Sequence, residues 1–220
     1  MLPTRIATVL LTGAVFFTSP ASAREAGSAD PAKGAPASSA QDELLGKARV
    51  LFEATSGEEC NGASFGEQPP PDVHPISFRP SHADDDAPLE TATLLRFFCG
   101  AGAYNEMHVY FLSTPADGLR QLSFAEPELQ IRHQDEDEEK PVEEMRIVGY
   151  TAQTILVNSD FVPEDYTILS HAKWRGLGDA SATGLWLFRD GHFSLVRFEV
   201  DPTYDGEINP ETVLDYYSAP

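Results

Sequence analysis

The sequence has few cysteines and few basic residues, and each shortage excludes a class of protein. Only two cysteines occur in 220 residues, Cys60 and Cys99, and they lack the Cys-x-x-Cys spacing of a dithiol redox site. Fifteen Lys and Arg residues stand against 35 Asp and Glu residues, so the formal net charge is −20. Such a charge repels phosphate and anionic lipid, which argues against binding to nucleic acid or to a membrane surface. The partners favoured by this charge are cationic: basic peptides, amines or divalent metal ions.

The sequence also lacks an apolar run long enough to span a bilayer, which requires about 20 residues. The nearest candidate runs from residue 6 to residue 17, behind Arg5, and is followed by Ala21-Ser22-Ala23. A basic start, an apolar centre and a small-x-small end are typical of a secretory signal peptide. We therefore predict that residues 1–23 are removed after Ala23, and that the exported chain does not span a membrane.

Both cysteines lie beyond the predicted cleavage point and would enter an oxidising compartment. An even number of cysteines in that setting usually forms disulfides, so a Cys60–Cys99 bridge is predicted. Closing this loop would stabilise the fold by about 4 kcal/mol in the chain-entropy treatment. Two unpaired buried thiols are the alternative.

Composition and periodicity predict one mainly β domain over residues 41–220, preceded by a flexible leader over residues 24–40 that is rich in Ala, Ser, Gly and Pro. Apolar residues at helical spacing predict one amphipathic helix over residues 41–55, ended by Ser56-Gly57. Residues 57–90 are mostly irregular, with one short strand at residues 76–78. The long irregular connection could present a binding surface.

From residue 89 onward, short apolar or alternating runs separated by Gly, Pro and Asp predict antiparallel strands. Asp190-Gly191 is typical of a two-residue hairpin turn. Residues 211–217 could form a short helix or a final edge strand. The fold class is therefore mainly β, an antiparallel sheet or sandwich with one N-terminal helix. The predicted strands are residues 94–99, 107–112, 119–124, 129–133, 145–150, 152–158, 168–173, 184–189 and 193–201.

Three segments carry weak chemical signals. Ser64 lies in a Gly-x-Ser-x-Gly pattern, but it lacks the strand-to-helix context of a hydrolase nucleophile. Asp84-Asp85-Asp86 beside His82 could offer oxygens to calcium, although the alternation of an EF-hand loop is absent. The acidic run at residues 135–139 is predicted to be a solvated hairpin tip or a mobile loop. The six histidines show no zinc-ligand spacing, so we expect no metal site from them and no cofactor.

The most distinctive stretch is a glycine-containing loop with three charged residues, Lys173, Arg175 and Asp179. These residues could bind a polar ligand, or Asp179 could work with His171 or His192 in catalysis. The alternative is structural: the two glycines, Gly176 and Gly178, adopt backbone angles that other residues avoid, while Arg175 and Asp179 pair or cap the turn. The structural interpretation is favoured.

This loop, Lys173-Trp174-Arg175-Gly176-Leu177-Gly178-Asp179, leads into the Trp186 strand and the Asp190-Gly191 hairpin. It resembles an exported bacterial family, the domain-of-unknown-function family 1176, whose members carry Arg-Gly-Leu-Gly-Asp-Cys-Gly before a tryptophan strand. Leu156-Val157-Asn158 and the segment from Cys99 to Asn105 are also similar to that family. Ala180-Ser181 stands where the family has Cys-Gly, so the disulfide of that loop in relatives cannot form here. The resemblance implies a periplasmic protein and transfers no catalytic residue.

These observations favour a periplasmic protein that acts as a non-catalytic binding or envelope-associated module, with a cationic ligand or another envelope protein as partner. One alternative is a hydrolase-type enzyme that uses the Arg175/Asp179 loop with a nearby histidine or, less simply, Ser64. Another is an acidic protein that binds calcium.

Overall fold

The computed structural model describes residues 37–60 and 68–216. Within them the chain forms one α-helix, one 3-10 turn (Gln134–Glu136) and twelve strands. In chain order these are α1 (Ala37–Cys60), β1 (Asp72–Phe78), β2 (Glu90–Ala101), β3 (Glu106–Thr114), β4 (Gly118–Gln121), β5 (Phe124–His133), β6 (Val142–Gln153), β7 (Ile155–Val157), β8 (Ser159–Val162), β9 (Thr167–Lys173), β10 (Ser181–Arg189), β11 (His192–Asp201) and β12 (Glu211–Asp215). The predicted signal peptide, its cleavage point and Ser64 lie outside the described residues. The helix begins within the stretch predicted as a flexible leader.

The strands form two five-stranded antiparallel sheets and one separate hairpin. The first sheet has the order β1-β2-β3-β4, and β7 also pairs with β3. Because β2 occupies one edge of β3, β4 and β7 share its other edge, β4 beside Phe111–Thr114 and β7 beside Met107–Val109. The second sheet has the order β12-β11-β10-β9-β8, and β5 pairs with β6 in the hairpin. The prediction of a mainly β, antiparallel fold with one N-terminal helix is confirmed.

The two sheets pack face to face. Leu94 and Tyr110 of the first sheet share a buried cluster with Ile168 and Trp186 of the second. Alternate residues of a strand point to opposite faces, so these strands each contribute every second side chain to the space between the sheets. The architecture is therefore a sandwich.

Helix α1 covers the outer face of the first sheet. Ala48 and Phe52 are buried against Phe97 and Phe111, and the rings of Phe52 and Phe97 stack with centroids 4.9 Å apart. The helix continues through Ser56-Gly57, where the sequence predicted its end, because that turn is held by the rest of the molecule. Ser56 is buried and its hydroxyl accepts a hydrogen bond from the Gln121 side chain at 3.0 Å.

The helix ends at Cys60, which forms the predicted disulfide with Cys99 on β2. Both cysteines are buried in the cluster between the helix and the sheet. The disulfide thus joins the C-terminal end of α1 to the sheet face that the helix covers.

The β5–β6 hairpin covers part of the second sheet. Leu129 and Ile147 of the hairpin pack on Phe198 and Val200 of β11. The acidic run at residues 135–139 lies at the tip of this hairpin, the first of the two predicted possibilities, and its side chains are exposed.

Several strand predictions need correction. The single strand expected at residues 76–78 begins at Asp72, and it tolerates Pro75 because β1 is the edge strand of its sheet. Strand β8, which has four residues, was not predicted. The segment predicted at residues 152–158 is divided between the end of β6 and β7. The C-terminal segment is an edge strand, β12, which decides between the two possibilities that the sequence left open.

Candidate functional site

The loop between β9 and β10 folds as a tight turn. The Gly178 amide donates to the Arg175 carbonyl at 3.0 Å, and the Trp174 amide donates to the Ala180 carbonyl at 2.9 Å. Gly178 has φ +79°, a region that favours glycine, and the stem of Lys173 lies 3.4 Å from the place a Cβ on Gly178 would take. Gly176 does not have a positive φ, so that part of the prediction was wrong. A Cβ on Gly176 would meet the Tyr104 ring at 3.4 Å, which is an ordinary contact distance.

Arg175 and Asp179 form an ion pair inside this loop. Asp179 has no exposed surface, and its Oδ1 accepts a hydrogen bond from Arg175 Nε at 2.7 Å. Its Oδ2 accepts from Arg175 Nη2 and from the Gly206 amide, the latter at 2.8 Å. Hydrogen bonds from Arg175, followed by the backbone amide of Gly206, hold the pKa of Asp179 well below its usual range. The ionised form of Asp179 is therefore favoured, and its oxygens accept hydrogen bonds from its own chain.

Arg175 also connects the loop to the segment between β11 and β12. Its Nη2 donates to the Tyr204 carbonyl at 2.8 Å, and its guanidinium carbon lies 5.1 Å from the centre of the Tyr204 ring. The Tyr204 amide donates to the Glu138 carbonyl at the tip of the β5–β6 hairpin. The Arg175–Asp179 pair thus links the β9–β10 loop to the β11–β12 segment, and that segment contacts the tip of the β5–β6 hairpin.

The other segments that resemble the family meet at this same place. Asn105 donates to the Lys173 carbonyl at 2.8 Å, and Asn158 donates to both the Asn105 side chain and the His171 carbonyl at 2.8 and 2.9 Å. The Tyr104 hydroxyl donates to the Trp174 carbonyl at 3.2 Å. Since Asn105 follows the first sheet's β2 while Lys173 ends the second sheet's β9, these side chains link the two sheets at one end.

In the part of the chain that the structure describes, the two histidines considered for catalysis bond to groups other than Asp179. His171 is hydrogen-bonded to the Thr183 hydroxyl at 2.9 Å. His192 lies beyond the far end of β10, about 25 Å from the Asp179 end at the usual rise per residue of a strand. Neither histidine is a partner of the carboxylate, whose acceptors already have donors. The three predicted binding residues therefore lie together in one turn, and their role in binding stays a prediction.

A second polar cluster, which sequence reasoning missed, lies where β8 meets the first sheet. Arg96 forms an ion pair with Asp72 on β1 at 2.7 Å and another with Asp160 on β8. Beside it, the fully buried Ser159 hydroxyl accepts a hydrogen bond from the Tyr110 hydroxyl at 2.9 Å and lies 3.2 Å from His108 Nδ1. No short sequence motif identifies this cluster, because its residues come from four strands.

Ser159 and His108 resemble part of a serine hydrolase site, and Glu106 lies 3.9 Å from the other ring nitrogen of His108. A nucleophile, however, must reach a substrate, and Ser159 has no exposed surface. Burial raises the pKa of Tyr110 to about 12, so Tyr110 keeps its proton and donates it in the hydrogen bond to Ser159. Burial, assisted by Arg96, lowers the pKa of His108. This is a neutral polar network that joins the sheets.

Where the structure describes them, the acidic segments do not converge on a metal site. Asp84, Asp85 and Asp86 are exposed on a turn in which the Ala87 amide donates to the Asp84 carbonyl at 2.9 Å. Across residues 37–60 and 68–216, no group of three or more His, Cys, Asp or Glu side chains is placed to hold a metal ion. In the same part of the chain, no helix is both long and apolar enough to cross a membrane.

Comparisons with known proteins agree with the loop that the sequence singled out. No curated protein and no solved structure matches the chain. A sequence model of the family described as "Protein of unknown function (DUF1176)" matches residues 23–211, which is most of the chain. The resemblance carried by the loop from Lys173 to Asp179 is confirmed, and the chain belongs to the DUF1176 family.

Proposed function

We propose that this protein is exported to the periplasm and acts there as a non-catalytic binding or envelope-associated module. Support for export comes from the signal-like residues 1–23 and from the Cys60–Cys99 disulfide, which suits an oxidising compartment. The net charge of −20 favours a cationic ligand or the basic face of another envelope protein.

The observation that carries the non-catalytic part of the proposal is the burial of Asp179. Its oxygens accept hydrogen bonds from Arg175 and Gly206, and it has no exposed surface. General acid–base catalysis needs a group that can reach the substrate and change its protonation near the working pH. Asp179 meets neither condition, and Ser159 in the second cluster is equally inaccessible.

Export is tested by expressing the full chain, separating periplasm from cytoplasm, and determining the N-terminus of the product. We expect a periplasmic protein that begins at Arg24, because the signal is cut after Ala23. A cytoplasmic protein that retains its first residues would overturn this part of the proposal.

The absence of hydrolase chemistry is tested with a fluorophosphonate probe, which labels activated serines. We expect no labelling of the wild-type protein. Labelling that is lost in Ser64→Ala or in Ser159→Ala would show an activated nucleophile, and would replace the binding proposal with the enzyme alternative. An active serine hydrolase treated in parallel confirms that the probe is reactive.

A further inference from the structure

A small cavity of about 80 Å³ lies where β5 and β7 meet one face of the second sheet. A water molecule takes up about 30 Å³ of the liquid, so the cavity has room for a few waters or for one very small ligand. A larger groove of about 430 Å³, bordered by Phe78, Tyr166 and Phe188, lies at the β10–β11 hairpin. Its lining includes both arginine side chains and Asp190, so it favours neither sign of charge. The small cavity has a simpler lining.

The floor of the small cavity is formed by small residues on neighbouring strands. Ser170 of β9 pairs with Gly184 of β10, and Ala172 pairs with Ala182. Paired residues of neighbouring strands share one face of a sheet, so these four small residues leave a depression between the strands. Trp186 lies across the depression, since a Cβ on Gly184 would come within 2.2 Å of its ring. The wall of the cavity is therefore largely apolar.

Glu126 brings a carboxyl group to this apolar cavity. It lies two residues after the buried Phe124 on β5, and alternate residues of a strand share a face, so the two side chains are directed to the same side. Glu126 is half-buried, and burial raises the pKa of its carboxyl group. Among the described residues that line the cavity, it is the one ionisable side chain.

The Glu126 side chain has no hydrogen bond or ion pair with any residue that the structure describes. Within the same residues, no fully buried side-chain oxygen lacks a partner, so the carboxyl oxygens of Glu126 reach accessible space. The side-chain donors of the lining are already used. The Ser170 hydroxyl donates to the Val157 carbonyl at 2.8 Å, and Trp186 Nε1 donates to the Ala125 carbonyl at 3.0 Å. The cavity thus offers an acidic acceptor that its own lining does not satisfy.

Charge and shape favour a small organic cation at Glu126. Ammonium groups donate strong hydrogen bonds to carboxylates and are attracted to aromatic rings, and an apolar wall accommodates a short alkyl chain. Calcium and magnesium need several oxygen ligands, which the described lining does not provide. We propose that the cavity binds a small primary amine, whose ammonium group donates to Glu126 and whose alkyl chain lies against Trp186. The inference rests on the proposed binding role and names the chemical class of the cationic ligand.

Propylammonium is a suitable probe, and propan-1-ol is its neutral counterpart of similar shape. The protein is titrated with each at neutral pH, and NMR follows the indole NH signal of Trp186, which the variant Trp174→Phe distinguishes from that of the other tryptophan. We expect a saturable shift with propylammonium. Propan-1-ol should bind more weakly by about tenfold or more, because an alcohol lacks the charge that pairs with a carboxylate.

Glu126→Gln keeps the size of the side chain, removes its charge, and should weaken propylammonium binding by about tenfold or more. Glu128→Gln, at an exposed residue two positions along β5, removes the same charge and is the matched control, so its affinity should equal that of the wild type. Nα-acetyl-lysine methylamide carries the same ammonium group on a larger molecule. We expect it to bind more weakly than propylammonium, because the cavity is too small for its backbone.

The inference is overturned if propylammonium does not shift the Trp186 signal, if propan-1-ol binds as tightly, or if Glu126→Gln binds like the wild type. Equal weakening by Glu128→Gln would show general attraction to an acidic surface and would overturn it too. Tighter binding of Nα-acetyl-lysine methylamide would assign the site to a lysine side chain of a partner protein and exclude the small amine. The comparison of propylammonium with propan-1-ol uses the wild type, so it does not depend on the folding of any variant.

These outcomes separate the ligand class from the broader proposal. A failure to bind propylammonium would leave the export and labelling results unaffected, so only the amine inference would fall. Fluorophosphonate labelling of an activated serine would instead contradict the non-catalytic role, whether or not propylammonium binds at Glu126.

Discussion

Asp179 and Asp201 are buried carboxylates, and each is matched by donors from loops. Asp201 accepts hydrogen bonds from the Thr203 hydroxyl at 2.9 Å and from the Asn209 amide. Together with the bond from Gly206 to Asp179, these contacts shape the segment between β11 and β12. An unpaired buried charge costs much more free energy than the pair contributes, so such residues tolerate little change.

Asp179→Asn keeps the shape of the side chain and removes its charge. Whichever way the amide turns, its NH₂ group faces a donor, either Arg175 or the Gly206 amide. We expect the melting temperature to fall by about 5 °C or more. Asp86→Asn, at an exposed turn, should change it little; equal melting temperatures for the two variants would contradict a structural role for Asp179.

Gly184 is required by the packing of Trp186. A Cβ at position 184 would lie 2.2 Å from a ring atom of Trp186, and that ring is buried and donates to the Ala125 carbonyl. We therefore expect Gly184→Ala to lower the free energy of unfolding by about 3 kcal/mol in denaturant titrations.

Gly46 is the matched control for this substitution, since a Cβ there meets nothing within 4 Å and the residue lies in α1. Gly46→Ala should raise the free energy of unfolding by about 0.8 kcal/mol, because alanine favours a helix. If both substitutions changed stability in the same direction, the packing described for Trp186 would be wrong.

His108 makes stability depend on pH in a defined direction. Burial and then Arg96 lower its pKa in the folded protein, whereas Glu106, Asp160 and Asp72 raise it less. As the pH is lowered, His108 in the unfolded chain takes up a proton near the ordinary histidine pKa of about 6.5. In the folded protein it takes up the proton only at a lower pH. As the pH falls below the ordinary value, His108 therefore destabilises the fold until the folded pKa is passed.

The measurement compares wild type with His108→Asn between neutral and mildly acidic pH. The wild type should lose stability relative to the variant as the pH falls, since the variant lacks this proton. His82→Asn, at an exposed position, should track the wild type across the same range. A constant difference between wild type and His108→Asn would exclude the proposed linkage.

Among the elements, α1 depends most on contacts outside itself. It packs Ala48 and Phe52 on the first sheet, and its last residue is tied to β2 by the disulfide. These contacts extend the helix past Ser56-Gly57, which isolated propensity would make its end. The length of α1 therefore depends on its contacts with the first sheet.

Replacing both cysteines, Cys60→Ala with Cys99→Ala, should lower the free energy of unfolding by about 4 kcal/mol, because the bridge closes a sequence separation of 39 residues. Denaturant titration of the oxidised wild type and the double variant measures the difference. Reduction of the wild type should give a similar loss, and an undiminished stability after either change would contradict this role of the disulfide.

Local pattern accounts for much of the fold. The apolar run of β3 and the Asp190-Gly191 turn between β10 and β11 are properties of a few neighbouring residues, so sequence predicted them. The length of β1 was missed because Pro75 is tolerated only at a sheet edge, and the sequence does not reveal which strand is at the edge.

The polar sites also differ in how far apart their residues lie in the sequence. Arg175 and Asp179 are four residues apart, so their pairing was a reasonable local hypothesis. Arg96 and Asp160 are 64 residues apart, and they meet only because β8 lies against the first sheet. The groove lined by Phe78, Tyr166 and Phe188 likewise forms only where three separate segments meet, so no short motif identifies it.

On the scale of the whole molecule, the two ends of the sandwich differ in chemistry. At one end, the polar side chains make hydrogen bonds that join loops and sheets. They belong to Asn105, Asn158 and the Arg175–Asp179 pair. At the other end, Phe78, Phe188 and the guanidinium of Arg79 border an open groove. The family's distinctive loop therefore belongs to the stabilised end, and the open surface lies elsewhere.

The central claim is that the loop from Lys173 to Asp179 is a structural clamp and not a catalytic centre. The most direct test follows the carboxyl carbon of Asp179 by NMR while the pH is lowered. We expect Asp179 to stay ionised well below the ordinary aspartate pKa of about 3.9, because Arg175 and Gly206 stabilise its charged form. Titration of Asp179 at or above that ordinary value, as a catalytic acid would require, would contradict the claim.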